Sequence, residues 1–191
     1  MAEEISIVNV KPQLVLGIRK RGPYQIIGIM ILEICDFAAE NGIQLIGAPR
    51  YICRETSVEE AEKVDRKSNA DVEVGVPILK RGKETDEITC YELPGAKMAK
   101  IMHKGPYQEE TATYGKLFAW LEKNNKAVMG PMREIYLNDP QEVTQEELLV
   151  EIYAPIEKRG CACIFFPILE PVNRLGIQSC HSSSEAFLHG L

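Results

Sequence analysis

The residues best suited to chemistry in this sequence are carboxylates set between apolar and aromatic neighbours. Glu151 stands in the stretch Leu149-Val150-Glu151-Ile152-Tyr153-Ala154-Pro155. Its alternation reads as a strand, on which successive side chains point to opposite faces. Val150, Ile152 and Ala154 then share the face that packs under helices, and Leu149, Glu151 and Tyr153 share the other. A carboxylate between an aliphatic and an aromatic neighbour is partly desolvated, which raises its pKa unless a cation arrives. Such a group suits recognition of an organic cation, with the ring adding about 0.5–2 kcal/mol of cation–π attraction. It equally suits a general acid or base. On a one-sided antiparallel sheet it would simply face solvent.

A second carboxylate repeats the setting. Val72-Glu73-Val74, followed by Pro77-Ile78, echoes Val150-Glu151-Ile152, followed by Pro155-Ile156. The echo belongs to a longer duplication: residues 21–55 and 104–138 align without a gap, Gly22-Pro23-Tyr24-Gln25 on Gly105-Pro106-Tyr107-Gln108. Asn41 matches Asn124, Gly47 matches Gly130, and Arg50 matches Arg133. Function is therefore sought where the copies meet or differ. They differ beside the acid, with Gly75 where the second copy has Tyr153. An aromatic wall on one side and space on the other is what a pocket needs. On the neighbouring strand Met132, Glu134 and Tyr136 share a face and add a second acid and a second aromatic. The expected ligand-binding set is Glu151, Tyr153, Tyr136, Glu73, Glu134 and Met132. Trp120 reads as core. Tyr24 and Tyr107 read first as packing and second as pocket lining.

Each copy reads as strand–helix–strand–strand. In the first, a strand over 13–20 leads to a helix from Pro23 to about Asn41, with Gly42 placed to stop it. That helix is apolar nearly all round, so burial on both sides or packing against another subunit is expected. Extended segments at 43–47 and 49–54, a polar loop at 55–69 and a strand at 71–79 follow, with a further strand at 87–93. The second copy has strands at 96–103, 129–137 and 148–156 and a helix from Pro106 to Asn124. Tyr107, Thr111, Tyr114, Phe118 and Leu121 form that helix's apolar stripe. Two such units make an α+β domain, helices on one side of a mainly antiparallel sheet.

Composition narrows the function classes. A net charge of −6 argues against direct nucleic-acid binding, which needs a basic face. It suits neutral or cationic ligands. No apolar run is long enough to span a membrane. The N-terminus has no basic region followed by an apolar one, so a cytoplasmic setting is expected. The six cysteines form no disulfide framework and read as free thiols. His103 has no metal partners in view, and Cys161-x-Cys163 with Cys180-His181 matches no usual zinc spacing. No metal and no cofactor are expected, and no phosphate loop, nucleotide fingerprint or helix-turn-helix is evident.

At Gly105-Pro106-Tyr107, Gly115-Lys116-Leu117-Phe118-Ala119-Trp120-Leu121, residues 131–139 and Glu151-Ile152-Tyr153-Ala154-Pro155, the sequence resembles the GyrI-like small-molecule-binding family. These are effector-binding domains found at the C-terminus of many AraC-type and MerR-type transcription regulators. The resemblance covers roughly residues 5–157. It implies a duplicated strand–helix–strand–strand (SHS2) module with a groove between repeats that binds lipophilic, often cationic, aromatic compounds. It maps the family's buried pocket glutamate onto Glu151, with Tyr153 and Tyr136 in the same groove. With no DNA-binding pattern before residue 5, the expectation is a chain similar to the stand-alone members.

The expected organisation is a domain over 1–157, with repeats at about 5–79 and 87–156, and an extension over 158–191 of unassigned role. A binding module for hydrophobic, cationic or aromatic molecules is the leading expectation. Two alternatives follow from the same family. One is a hydrolase of cyclopropane-type toxins using Glu151 and Tyr153. The other is a gyrase-inhibitor-like module that binds a protein partner. The apolar first helix would also suit a homodimer.

Overall fold

The computed structural model describes residues 4–54, 63–64 and 66–159. In chain order the elements are β1 (Ser6–Val10), β2 (Gln13–Gly22), α1 (Ile26–Glu40), β3 (Arg50–Cys53), β4 (Ala70–Pro77), β5 (Ile88–Leu93) and β6 (Ala96–Lys104), then α2 (Glu110–Lys123), β7 (Lys126–Val128), β8 (Met132–Tyr136) and β9 (Leu149–Lys158). The strands form one sheet in the order β1-β6-β9-β8-β3-β4-β2-β5, with β7 on β9. Every pairing among the described residues is antiparallel. The α+β expectation therefore holds.

The duplication is written into the register. β2 pairs with β4 so that Gly17 meets Gly75 and Arg19 meets Glu73. β6 pairs with β9 so that the matching residues Lys100 and Tyr153, and Met102 and Glu151, meet in turn. The repeats join through β3 and β8, where Tyr51 meets Glu134 between the pairs Arg50–Ile135 and Ile52–Arg133. Arg50 matches Arg133 and Ile52 matches Ile135, so exchanging the repeats leaves this pairing unchanged. A pseudo-twofold passes through the Tyr51–Glu134 pair.

The sheet cannot be flat. Residues 11 and 12 alone join β1, at one edge, to β2, six strand spacings away. Pro94-Gly95 joins β5 to β6 across the same number. Six spacings on a flat sheet span about 29 Å, whereas such links reach only about 10 Å. The sheet therefore curls until its edges approach, and the two links pack together: a Cβ on Gly95 would lie 2.7 Å from Pro12 and from the Val10 carbonyl. One face becomes the interior of a nearly closed barrel, which side chains fill. Both helices pack on the outer face.

Those helices bury stripes at helical spacing. α1 buries Met30, Ile34 and Ala38 against Leu16, Val72, Val74 and Val76. α2 buries Thr113, Leu117 and Leu121 against Ile101, Val150 and Ile152. Gly42, at φ +64°, ends α1 with its N–H on Ala39, and Ile43 N–H returns to Ala38. Asn125, its match, does the same turn at φ +51°.

Several expectations change. α1 buries only one stripe within the chain, because the sheet covers one side; Ile29 and Leu32 stay 58% and 55% exposed. The α2 stripe is rotated by about one residue, which moves Tyr114 and Phe118 to the flank. Residues 6–10 add a paired strand ahead of the one expected from residue 13, and β7 is a further strand beyond those expected. β8 is shorter than 129–137, since Gly130-Pro131 delays its start. The cysteine-bearing tail beyond residue 159 and most of the loop expected at 55–69 lie outside the described residues.

The space left by Gly75 is filled. Tyr91, from β5, lies across both Gly17 and Gly75, so a Cβ on Gly17 would come within 2.7 Å of its ring and 2.8 Å of the Val74 carbonyl. Gly17→Ala is therefore expected to cost about 1–3 kcal/mol by overpacking. Urea denaturation checks this; an unchanged midpoint would contradict the packing.

Candidate ligand-binding site at the repeat junction

Because side chains alternate, β8 sends Met132, Glu134 and Tyr136 to the outer, helix-bearing face and Arg133 and Ile135 to the interior. The outer group sits at the seam between the two helical layers. Tyr136 and its repeat match Cys53 each pack against both apolar cores. Aromatic rings line this seam: Tyr24 meets Tyr51 edge-on at 6.0 Å, Tyr107 meets Tyr136 edge-on at 5.9 Å, and Tyr114 stacks on Phe118 at 6.2 Å. Such pairs fix ring positions as well as burying area.

Glu134 is the acid of this seam. Tyr114 donates to its Oε1 at 2.5 Å and Tyr136 to its Oε2 at 3.0 Å. Among the described residues it makes no ion pair. Burial pushes its carboxyl above the ordinary value; the two hydroxyls and the field of His103 only partly oppose this. Burial, reinforced by the Glu134 charge, also raises both phenols, so they remain donors at neutral pH.

His103 holds the start of α2 over the seam. It is 3% exposed. The Pro106 carbonyl can only accept, so Nε2–H donates to it at 3.1 Å, and in the neutral ring Nδ1 accepts from Thr113 at 2.9 Å. This explains the histidine without a metal. Among the described residues no three His, Cys, Asp or Glu side chains form a metal-binding group.

Glu73, Glu151 and Tyr153 lie on the interior face, across the sheet from Glu134, Tyr136 and Met132. The expected six residues thus divide into two places. Each interior glutamate has a base and a tyrosine. Glu73 takes Arg54, whose Nε is at 2.6 Å, and the Tyr91 hydroxyl at 2.8 Å. Glu151 takes Lys100 at 2.8 Å and the Tyr153 hydroxyl at 2.6 Å. Burial would raise the Glu151 carboxyl, but Lys100 and Tyr153 together hold it below the ordinary value. The cation expected beside this acid is already there, supplied by the chain.

A family model, the GyrI-like small molecule binding domain, matches residues 3–157. The chain belongs to this family. No curated protein matches it. Among solved structures, the GyrI-like fold here is similar to the C-terminal domain of EcmrR, with 22% identity, a TM-score of 0.72, and coverage of 83% of this chain and 99% of that one. EcmrR in its complex with DNA is similar at 22% identity and a TM-score of 0.73; the match covers 83% of this chain and 59% of EcmrR. A hydrolase from Listeria innocua shares the fold at 12% identity and a TM-score of 0.57, with 81% and 92% of the chains covered. Among the described residues no helix is long and apolar enough to cross a membrane.

Sequence reasoning did not find the bases of this GyrI-like domain. Lys100 and Arg54 were unassigned, and Arg50 and Arg133 were noted only as matching positions. Alternation from Ile52 and Ile135 would have put both arginines inside.

The Glu134 carboxyl has a pH signature. Its folded pKa lies above its unfolded one, so between the two the native state holds a proton that the unfolded chain has lost. The associated stability is present below the ordinary carboxylate range and falls as pH rises through that window. Glu134→Gln cannot titrate. Urea denaturation from pH 4 to pH 8 is expected to move the difference between the two proteins steadily against the wild type; parallel curves would contradict it.

Proposed function

We propose that this GyrI-like domain is a small-molecule sensor or sequestering protein whose ligands are hydrophobic aromatic compounds, cationic ones preferred, held at the seam between the repeats. The observation that carries this reading is Glu134: a desolvated carboxylate among tyrosines, with hydroxyl partners and, among the described residues, no cation. A bound cation supplies the missing charge and meets ring faces from Tyr107, Tyr114 and Tyr136, each worth about 0.5–2 kcal/mol. A neutral analogue leaves the acid uncompensated and binds less well. Glu151 and Glu73 take a different part, neutralising Lys100 and Arg54 inside the barrel. Tyr153 and Tyr91 orient those pairs.

Calorimetric titration with tetraphenylphosphonium as the cationic probe, beside a neutral tetraphenyl analogue, tests this. Heat is expected to saturate near one ligand per chain, favour the cation, and weaken about tenfold in Glu134→Gln, which is about 1.4 kcal/mol. Glu151→Gln should leave the affinity unchanged. Full affinity in Glu134→Gln would overturn the role given to that acid. Sustained heat flow on adding an activated cyclopropane compound would replace the sensor with a hydrolase.

A further inference from the structure

The barrel interior holds two positive charges that its own acids do not neutralise. Arg50 and Arg133, repeat matches on β3 and β8, are 6% and 5% exposed. Among the described residues neither makes an ion pair. Arg50 donates to the Gln13 side chain and, at 3.4 Å, to the Ala48 carbonyl, while its Nε has no partner. Arg133 donates through one terminal nitrogen to the Pro94 carbonyl at 2.6 Å, and its other terminal nitrogen, Nη1, has no partner. An unpaired buried guanidinium N–H forfeits hydration without recompense, at a cost of about 1–3 kcal/mol or more. Two such groups related by the pseudo-twofold are a repeated feature of the design.

Both arginines line one cavity of about 160 Å³, together with Val10, Gln13, Met98, Ile135 and Tyr153. Six strands contribute to it. Val10, Gln13, Ile135 and Tyr153 keep some solvent exposure, so the cavity communicates with the outside. Its chemistry has two parts. Two guanidinium groups supply forked donors that match a carboxylate. Val10, Met98, Ile135 and the Tyr153 ring supply an apolar wall. A cavity of about 150 Å³ accommodates one benzene ring, so the space suits a compact aromatic acid.

We propose that this interior cavity is a second ligand site, for a small organic carboxylate with an apolar body, with its carboxylate held between Arg50 and Arg133. The site is separate from the seam, faces the other side of the sheet and takes the opposite charge. Burial, helped by the Arg133 charge, lowers the Arg50 pKa to about 10, the direction that a bound anion would reverse. Arg133 is lowered by burial as well, with Glu73 and Tyr91 opposing.

The test uses the full chain, with benzoate as probe, benzyl alcohol as its neutral counterpart and inorganic phosphate as the plain anion. Benzoate is expected to bind saturably and to raise the thermal midpoint, with benzyl alcohol and phosphate doing neither. Arg133→Met and Arg50→Met, which preserve much of the side-chain volume, should each weaken benzoate at least tenfold while leaving tetraphenylphosphonium binding unchanged. That second readout separates failure here from failure of the seam reading. Should either variant not fold, the comparison of benzoate with benzyl alcohol on the wild type still decides. Absence of benzoate binding at millimolar concentration, equal binding of benzyl alcohol, or full benzoate affinity in a folded variant would each overturn the site. Equal protection by phosphate would overturn its assignment to an organic acid.

Discussion

The antiparallel pairing of β3 with β8 is the contact on which the rest of the molecule depends. It joins the two repeats, and its central pair, Tyr51 opposite Glu134, sets the pseudo-twofold. A slip of one residue would move every side chain of β8 to the other face. Glu134 would then enter the barrel and Arg133 would lie beneath α2. The burial of both faces is what holds the register.

From that pairing come two environments on one strand. Neighbouring residues Arg133 and Glu134 point to opposite sides, and among the described residues neither has an ion-pair partner. On the outside, the carboxylate meets tyrosine hydroxyls. Inside, two arginines sit within a barrel whose acids are already taken. The second copy keeps the acid–tyrosine pair by placing Tyr153 beside Glu151; the first keeps it by emptying Gly17 and Gly75 for Tyr91. The repeats have diverged in residue while conserving one interaction, which is why the difference at Gly75 and Tyr153 opens no space.

Much of the architecture was legible because it rests on local signals. The Gly-Pro-Tyr starts, the Gly42 stop and the alternation around Glu73 and Glu151 act over a few residues. The repeat carried the pairing of the copies. The curl of the sheet was not legible, because it follows from strand order, and two residues linking β1 to β2 mean nothing until that order is known. The candidate site was half legible for the same reason. Alternation correctly grouped Met132, Glu134 and Tyr136, and separately Glu151 and Tyr153. It could not say that the groups lie on opposite sides of the sheet, nor that Lys100 would reach Glu151. The rotation of the α2 stripe, which brings the Tyr114 hydroxyl to Glu134, depends on how the helix settles on the strands.

The central claim is that Glu134 is an uncompensated acid waiting for a cation. Carboxyl-selective carbon NMR, with Glu134 assigned by its Gln variant, measures this directly. The account predicts a titration midpoint above the ordinary carboxylate range in the free protein and a fall toward or below that range when tetraphenylphosphonium is bound. An ordinary midpoint in the free protein, or one that a bound cation does not move, would contradict it.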